Sequence, residues 1–163
     1  MFETIRWPAD MVPSRSPIHF TNELEVDVPP EIIWSLLVDT ANWPQFYPGV
    51  QKVDVLGGGG QLQLGSRFET NLAGQDVAAS VDEFEPITRI AWGGGPKSST
   101  ESRAYHAWII TPTPRGVHVW TEETMQGPLW LELAKHAPDI FWRTHEQLLR
   151  DLARVALERA GKG

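Results

Sequence analysis

The last long segment of the chain, residues 129–159, constrains the fold most. Leu133, Ala137, Ile140, Phe141, Thr144, Leu148, Leu152 and Val155 recur every three or four residues, which lines them along one side of a helix. Glu132, Lys135, Asp139, Arg143, Glu146, Gln147, Arg150, Asp151, Arg154 and Glu158 fill the other side. An apolar stripe that runs for roughly 30 Å over about 20 residues must be laid across a second apolar surface. Pro138 has no N–H to donate, and its ring collides with the carbonyl four residues back. The spacing therefore predicts a kink or a restart near Ala137, with Pro138 in the first turn of the main helix, Asp139 near its positive end and Gly161 after its last turn.

The preceding chain supplies the second surface as strands. Residues 18–28 alternate, with Phe20, Leu24, Val26 and Val28 on one face and Thr21, Glu23, Glu25 and Asp27 on the other. Pro29-Pro30-Glu31 opens a short helix that turns Ile33, Leu36 and Leu37 inward, and Asn42 is placed to cap a second over 42–47. Alternating runs between turn signals then predict strands near 50–56, 66–73, 76–85, 88–92, 102–112 and 116–126. This order gives an α+β domain over residues 18–160: a seven-stranded curved antiparallel sheet wrapped around one long C-terminal helix, with a space between the layers. Pro8, Pro13 and Pro17 make residues 1–17 an extended arm.

Composition narrows the function. The 163 residues carry a formal charge of −7, which repels phosphate backbones, so nucleic acid is not an expected partner. The absence of cysteine excludes disulfides, thiolate metal sites and cysteine nucleophiles. Residues 1–12 lack the basic patch and apolar run of a signal peptide, and no apolar stretch reaches the length of a membrane span. A cytoplasmic protein is expected. Eight tryptophans supply core volume or the wall of an apolar pocket.

Period-two alternation turns four polar residues, Asn22, His106, Thr121 and Glu123, toward the helix with the apolar set. His106 and Glu123, on neighbouring antiparallel strands, form a candidate acid–base pair, in which a carboxylate in reach would raise the histidine pKa and orient its ring. The bland alternative is a buried polar pair that fixes register or orients a ligand. No two histidines stand at the helical spacing of a zinc motif, and Leu149 occupies the second ligand position after His145-Glu146. A metal site would have to be assembled from distant residues, and neither a metal nor a cofactor is expected. Residues 93–98, Gly-Gly-Gly-Pro-Lys-Ser, lack the glycine before lysine that a phosphate loop needs and read as part of a flexible lid. Trp120 faces outward with Tyr105 and His118, a patch that suits either a homodimer contact or the seat of the N-terminal arm.

The opening VDVPPEIIWSLLVDTANWPQFYPGVQKVDVL, the LGSRFET strand, the VDEFEPITRIAW pair and the long C-terminal helix resemble the START-like or SRPBCC superfamily, over roughly residues 18 to 158. Its members include polyketide cyclases, pollen-allergen-type proteins and lipid-transfer domains. The resemblance implies a helix-grip fold with an apolar cavity between sheet and long helix, gated here by residues 73–75 and 93–101. The cavity wall expected from the face assignments combines Asn22, Phe68, Thr70, Val81, Trp92, His106, Trp108, Thr121 and Glu123 from the sheet with Ile140 and Phe141 from the helix. Three functions fit: a carrier of a hydrophobic or aromatic small molecule, a cyclase, dehydratase or hydrolase using His106 and Glu123, and a co-chaperone-like adaptor using the face around Trp120.

Overall fold

A computed structural model describes residues 4–72 and 74–163. In chain order the elements are β1 (Ile18–Val26), α1 (Pro30–Val38), a 3-10 helix (Thr40–Gln45), β2 (Val53–Val55), β3 (Arg67–Leu72), β4 (Gln75–Glu85), β5 (Arg89–Pro96), β6 (Arg103–Thr113), β7 (Gly116–Gln126), α2 (Pro128–His136) and α3 (Ile140–Arg159). Among the described residues seven strands form one antiparallel sheet in the order β1-β7-β6-β5-β4-β3-β2. Strands β2 to β7 follow one another as a meander. Strand β1, cut off from β2 by the short helices, closes on the far edge beside β7.

Helix α3 lies across the inner face. Leu148, Leu152 and Val155 meet Trp108, Ile110, Val117 and Val119 of the sheet, and Ile33, Leu36 and Leu37 of α1 complete this core. Burying a side chain of this size is worth about 1.5–3 kcal/mol. The stripe thus anchors the second half of α3. The outer face carries a smaller apolar cluster of Tyr105, Ala91 and Ala107, covered by Met11 and Trp7 of the N-terminal segment.

Several local expectations are corrected. Residues 93–96 are not lid but the end of β5, paired with both β4 and β6 through Gly94. A Cβ at Gly94 would come within 2.1 Å of Ala78 O, so the glycine there serves close approach of strands and not flexibility. Ala73 of the other expected gate lies outside the described residues. The second short helix is a 3-10 turn starting at Thr40, whose first turn Asp39 caps by accepting from Ala41 N at 3.2 Å; Asn42 is buried inside it. Pro138 does not begin the main helix. It holds the preceding residue, Ala137, at φ −144° and ψ 83°, outside the helical region, and α3 restarts at Ile140 with Asp139 as its N-cap.

The buried stripe of α3 is wider than the expected one and starts later. His145, Leu148, Leu149, Leu152, Val155 and Ala156 face the sheet, whereas Leu133 and Ile140 stay more than one-third exposed and Thr144 is half-buried. Phe20 is half-buried against the rings of Phe141 and His145. A bulge does occur, between Val81 and Glu83 of β4, but the β1–β7 and β6–β7 registers are unbroken. His106 and Glu123 are therefore direct cross-strand partners, as are Asn22 and Thr121.

Candidate functional site at the polar end of the sheet–helix cavity

The first half of α3, α2 and the 3-10 turn stand off the sheet and enclose a cavity of about 420 Å³. Its wall is largely apolar and aromatic, with Trp43, Phe68, Trp92, Trp130 and Phe141 among the residues that line it. Trp43 Nε1 is spent on Leu37 O at 3.0 Å, which fixes the 3-10 turn against α1 and presents the indole ring to Trp92 and Phe68. The polar exceptions converge: His106 from β6, Glu123 from β7 and His145 from α3 all line the cavity, and all three are buried. One nitrogen of each ring and one carboxylate oxygen lie within 4.8 Å of one another.

The hydrogen bonds around His106 assign its tautomer. Thr121 Oγ1 donates its single proton to Ala107 O at 3.2 Å, so His106 Nε2–H must be the donor in the 2.6 Å contact to Thr121 Oγ1. Nδ1 then keeps a lone pair, which accepts from the Tyr47 hydroxyl at 3.1 Å. Burial pushes the His106 pKa down to about 3, against the opposing pull of Glu123 and with help from the neighbouring His145. The carboxylate does pull it upward, as the sequence leads one to expect, but desolvation of an imidazolium outweighs one nearby charge here and the net shift is downward. Burial, followed by the Glu123 charge, drives the Tyr47 pKa upward, so its hydroxyl keeps its proton.

Glu123 is not hydrogen-bonded to His106. Its Oε2 lies 3.0 Å from His145 Nε2, while His145 Nδ1 is 2.8 Å from Phe141 O. A carbonyl only accepts, so Nδ1 carries the proton and Nε2 is the nitrogen turned to the carboxylate. That contact is poorly aligned for an N–H bond, and Nε2 has no other partner among the described residues. Burial raises the Glu123 pKa, but the two histidines outweigh it and the net shift is downward.

Of the residues expected on the wall, Phe68, Trp92, His106, Glu123, Ile140 and Phe141 line the cavity. The other five stand behind it. Trp108 and Val81 are core, Thr121 buttresses His106, and Thr70 Oγ1 donates to Lys52 O at 2.8 Å. Asn22 Nδ2 donates to Trp142 O and to Glu146 Oε1 under α3. Tyr47 and His145 were missed. Tyr47 follows a 3-10 turn with no readable period, and His145 lies three residues before Leu148 on the edge of a buried stripe that is wider than the apolar residues alone mark. Trp130 is buried on the wall with its Nε1 unpartnered among the described residues.

The same architecture recurs in solved structures. The Helicobacter pylori protein jhp0584 superposes with a TM-score of 0.87 at 24% identity, covering 96% of this chain and 98% of that one. The Mesorhizobium loti protein MLL2253 gives 0.67 at 20% identity, over 87% of this chain and 98% of that one. Ara h 8.0201 gives 0.63 at 14% identity, over 86% and 98%. At these identities the likeness is one of fold. No curated protein matches the chain. Residues 17–157, nearly the whole body from β1 to the end of α3, match the family described as polyketide cyclase / dehydrase and lipid transport. With its curved seven-stranded sheet closed by a C-terminal helix, the chain belongs to that family, within the START-like or SRPBCC superfamily.

Proposed function

We propose that the chain holds a hydrophobic or aromatic small molecule, lipid-like or polyketide-like, in the cavity between sheet and C-terminal helix. The observation that carries this reading is a cavity of about 420 Å³ whose aromatic wall is interrupted by one convergent polar group. Ligand pockets have this size and this mix of apolar wall and a few orienting polar groups. The apolar body of the ligand rests on Trp43, Phe68 and Trp92. Its polar end meets Glu123 and His145. Affinity comes from apolar burial at about 25 cal/mol per Å², less the cost of ordering the ligand. Native mass spectrometry of protein purified without denaturation from its own cells should find a retained small molecule, and Trp92→Ala should release it. Folded protein that retains nothing and binds no member of an aromatic and acyl panel overturns the reading.

A second reading, catalysis on such a molecule, is favoured by the pairing of the polar groups. A cyclase or dehydratase needs a base at the end of an apolar cavity, and Glu123 with His145 is better suited than His106. Both nitrogens of His106 are engaged, and it stays neutral far below physiological pH. Turnover lost in His145→Gln with binding retained supports this reading. Turnover lost only in His106→Gln restores the cross-strand pair of His106 and Glu123 as the acid–base site.

A further inference from the structure

We propose that His106, Glu123 and His145 bind one divalent transition-metal ion at the polar end of the cavity. The starting point is a conflict between two acceptors. His145 gives its Nδ1 proton to Phe141 O, which leaves the neutral ring with an Nε2 lone pair 3.0 Å from the Glu123 carboxylate. A lone pair and a carboxylate oxygen repel at that distance unless a proton or a metal ion lies between them. A proton on Nε2 is poorly aimed at the carboxylate. An ion about 2.1 Å from each atom sees a 3.0 Å separation as an angle of about 90°, an ordinary edge of a coordination shell.

The third ligand is prepared in the same way. The chain of bonds from His106 through Thr121 to Ala107 O holds the Nε2 proton and leaves Nδ1 as the lone-pair atom. Each imidazole thus has one nitrogen tied to a protein acceptor and the other left with a lone pair, the outer-sphere arrangement that orients metal-bound histidines. An ion that takes His106 Nδ1 displaces the Tyr47 hydroxyl from it. Two imidazoles and one carboxylate suit zinc, cobalt or ferrous ions and not magnesium or calcium, which prefer all-oxygen shells. One carboxylate leaves one positive charge uncompensated on the ion, and the position still open faces the apolar cavity, where an oxygen of a small molecule would complete the shell. Helical spacing does not reveal this site, because its ligands come from two strands and a helix.

The ion does not depend on an organic ligand, so failure of either proposal leaves the other standing. Protein without a histidine tag, stripped with chelator and dialysed, is titrated with Co²⁺ by visible absorption and with Zn²⁺ by calorimetry. One ion per chain is expected, with His145→Gln and Glu123→Gln each weakening it on the order of 100-fold or more, and Tyr47→Phe binding no less tightly. Circular dichroism in chelator checks that each variant is folded. Should a variant unfold, paramagnetic shifts of the His106 and His145 ring protons by Co²⁺ in the unaltered protein give the same answer. No saturable binding overturns the proposal. So does binding that persists in both variants, or shifts confined to His118 and His136, because exposed pairs such as His118–Glu23 and His136–Glu132 would then be the ligands.

Discussion

Each face of the sheet buries a carboxylate, and the two are completed differently. On the outer face Glu83 Oε1 accepts from Arg6 N at 2.8 Å and from the Tyr105 hydroxyl at 2.9 Å, while Oε2 lies 2.9 Å from Arg89 Nε. Arg89 in turn pairs with Glu85, and the N-terminal segment lies over the group, with Trp7 against Tyr105. Arginine is a permanent cation, so this charge is settled within the chain. On the inner face, among the described residues, no lysine or arginine is ion-paired with Glu123; its neighbours are two imidazoles and a cavity. A buried charge closed off by its own chain serves structure. One that faces open space with its partnership incomplete is where binding or chemistry can occur.

The sharpest way to break this contrast is Arg89→Ala, which strands Glu83 as an uncompensated buried charge and should cost about 3–5 kcal/mol in urea unfolding. His145→Gln, by contrast, should leave the unfolding midpoint nearly unchanged while weakening metal binding at the polar end of the cavity. If the two losses of stability are equal, the faces do not differ as described.

The same division runs along α3. Leu152→Ala removes a fully buried side chain and should cost about 2–5 kcal/mol, whereas Ile140→Ala, at the more exposed cavity end, should cost well under half of that. Thermal melts that rank Ile140 above Leu152 would show that the cavity end is core.

Acid provides the third test. Native His106 holds its proton only below about pH 3 and the unfolded chain holds it below about 6.5, so in that window the unfolded state binds more protons. The stability contributed by neutral His106 is complete above pH 6.5 and is lost as pH falls toward 3, at up to about 1.4 kcal/mol per pH unit. Urea titrations in chelator should therefore show a shallower acid dependence for His106→Gln than for the parent, and equal slopes would remove burial as the dominant influence on this ring. The smallest effect is expected for Tyr47→Phe, which deletes one buried hydrogen bond to His106 and should cost about 0.5–1.5 kcal/mol.

Most of the sheet was legible because a period of two is robust to small errors in strand ends: Val81, Ile90, Trp108 and Val119 all lie inward as their alternation requires. The placement of His106 opposite Glu123 follows from the same rule. Helical phase is less forgiving. Within the continuous helix from Ile140, Leu148, Leu152 and Val155 face inward as expected, but the buried set also takes in His145, Leu149 and Ala156 while Thr144 is only half-buried, and neighbouring residues differ by about 100° of rotation. The glycines of β5 misled because composition marks both turns and tight strand contacts, and only the position of Ala78 O distinguishes them. The arm over Tyr105 was legible only as one of two candidates, since an aromatic patch does not specify what covers it.

The closing of β1 against β7 has a consequence for the order in which this molecule can be made. Ile18 pairs with Met125 and Val26 with Val117, so the first strand synthesised has no edge to join until nearly the last one exists. Contacts of such sequence separation form late and slow the folding of the chains that contain them. His145 arrives later still, on a helix whose inner surface packs against β1. A partial chain on the ribosome can hold Glu123 and His106 in one hairpin, but it lacks His145, whose Nε2 lies 3.0 Å from the carboxylate in the finished fold. The polar end of the cavity therefore has no precursor in any shorter piece of the chain, and whatever it recognises can be recognised only by the completed fold.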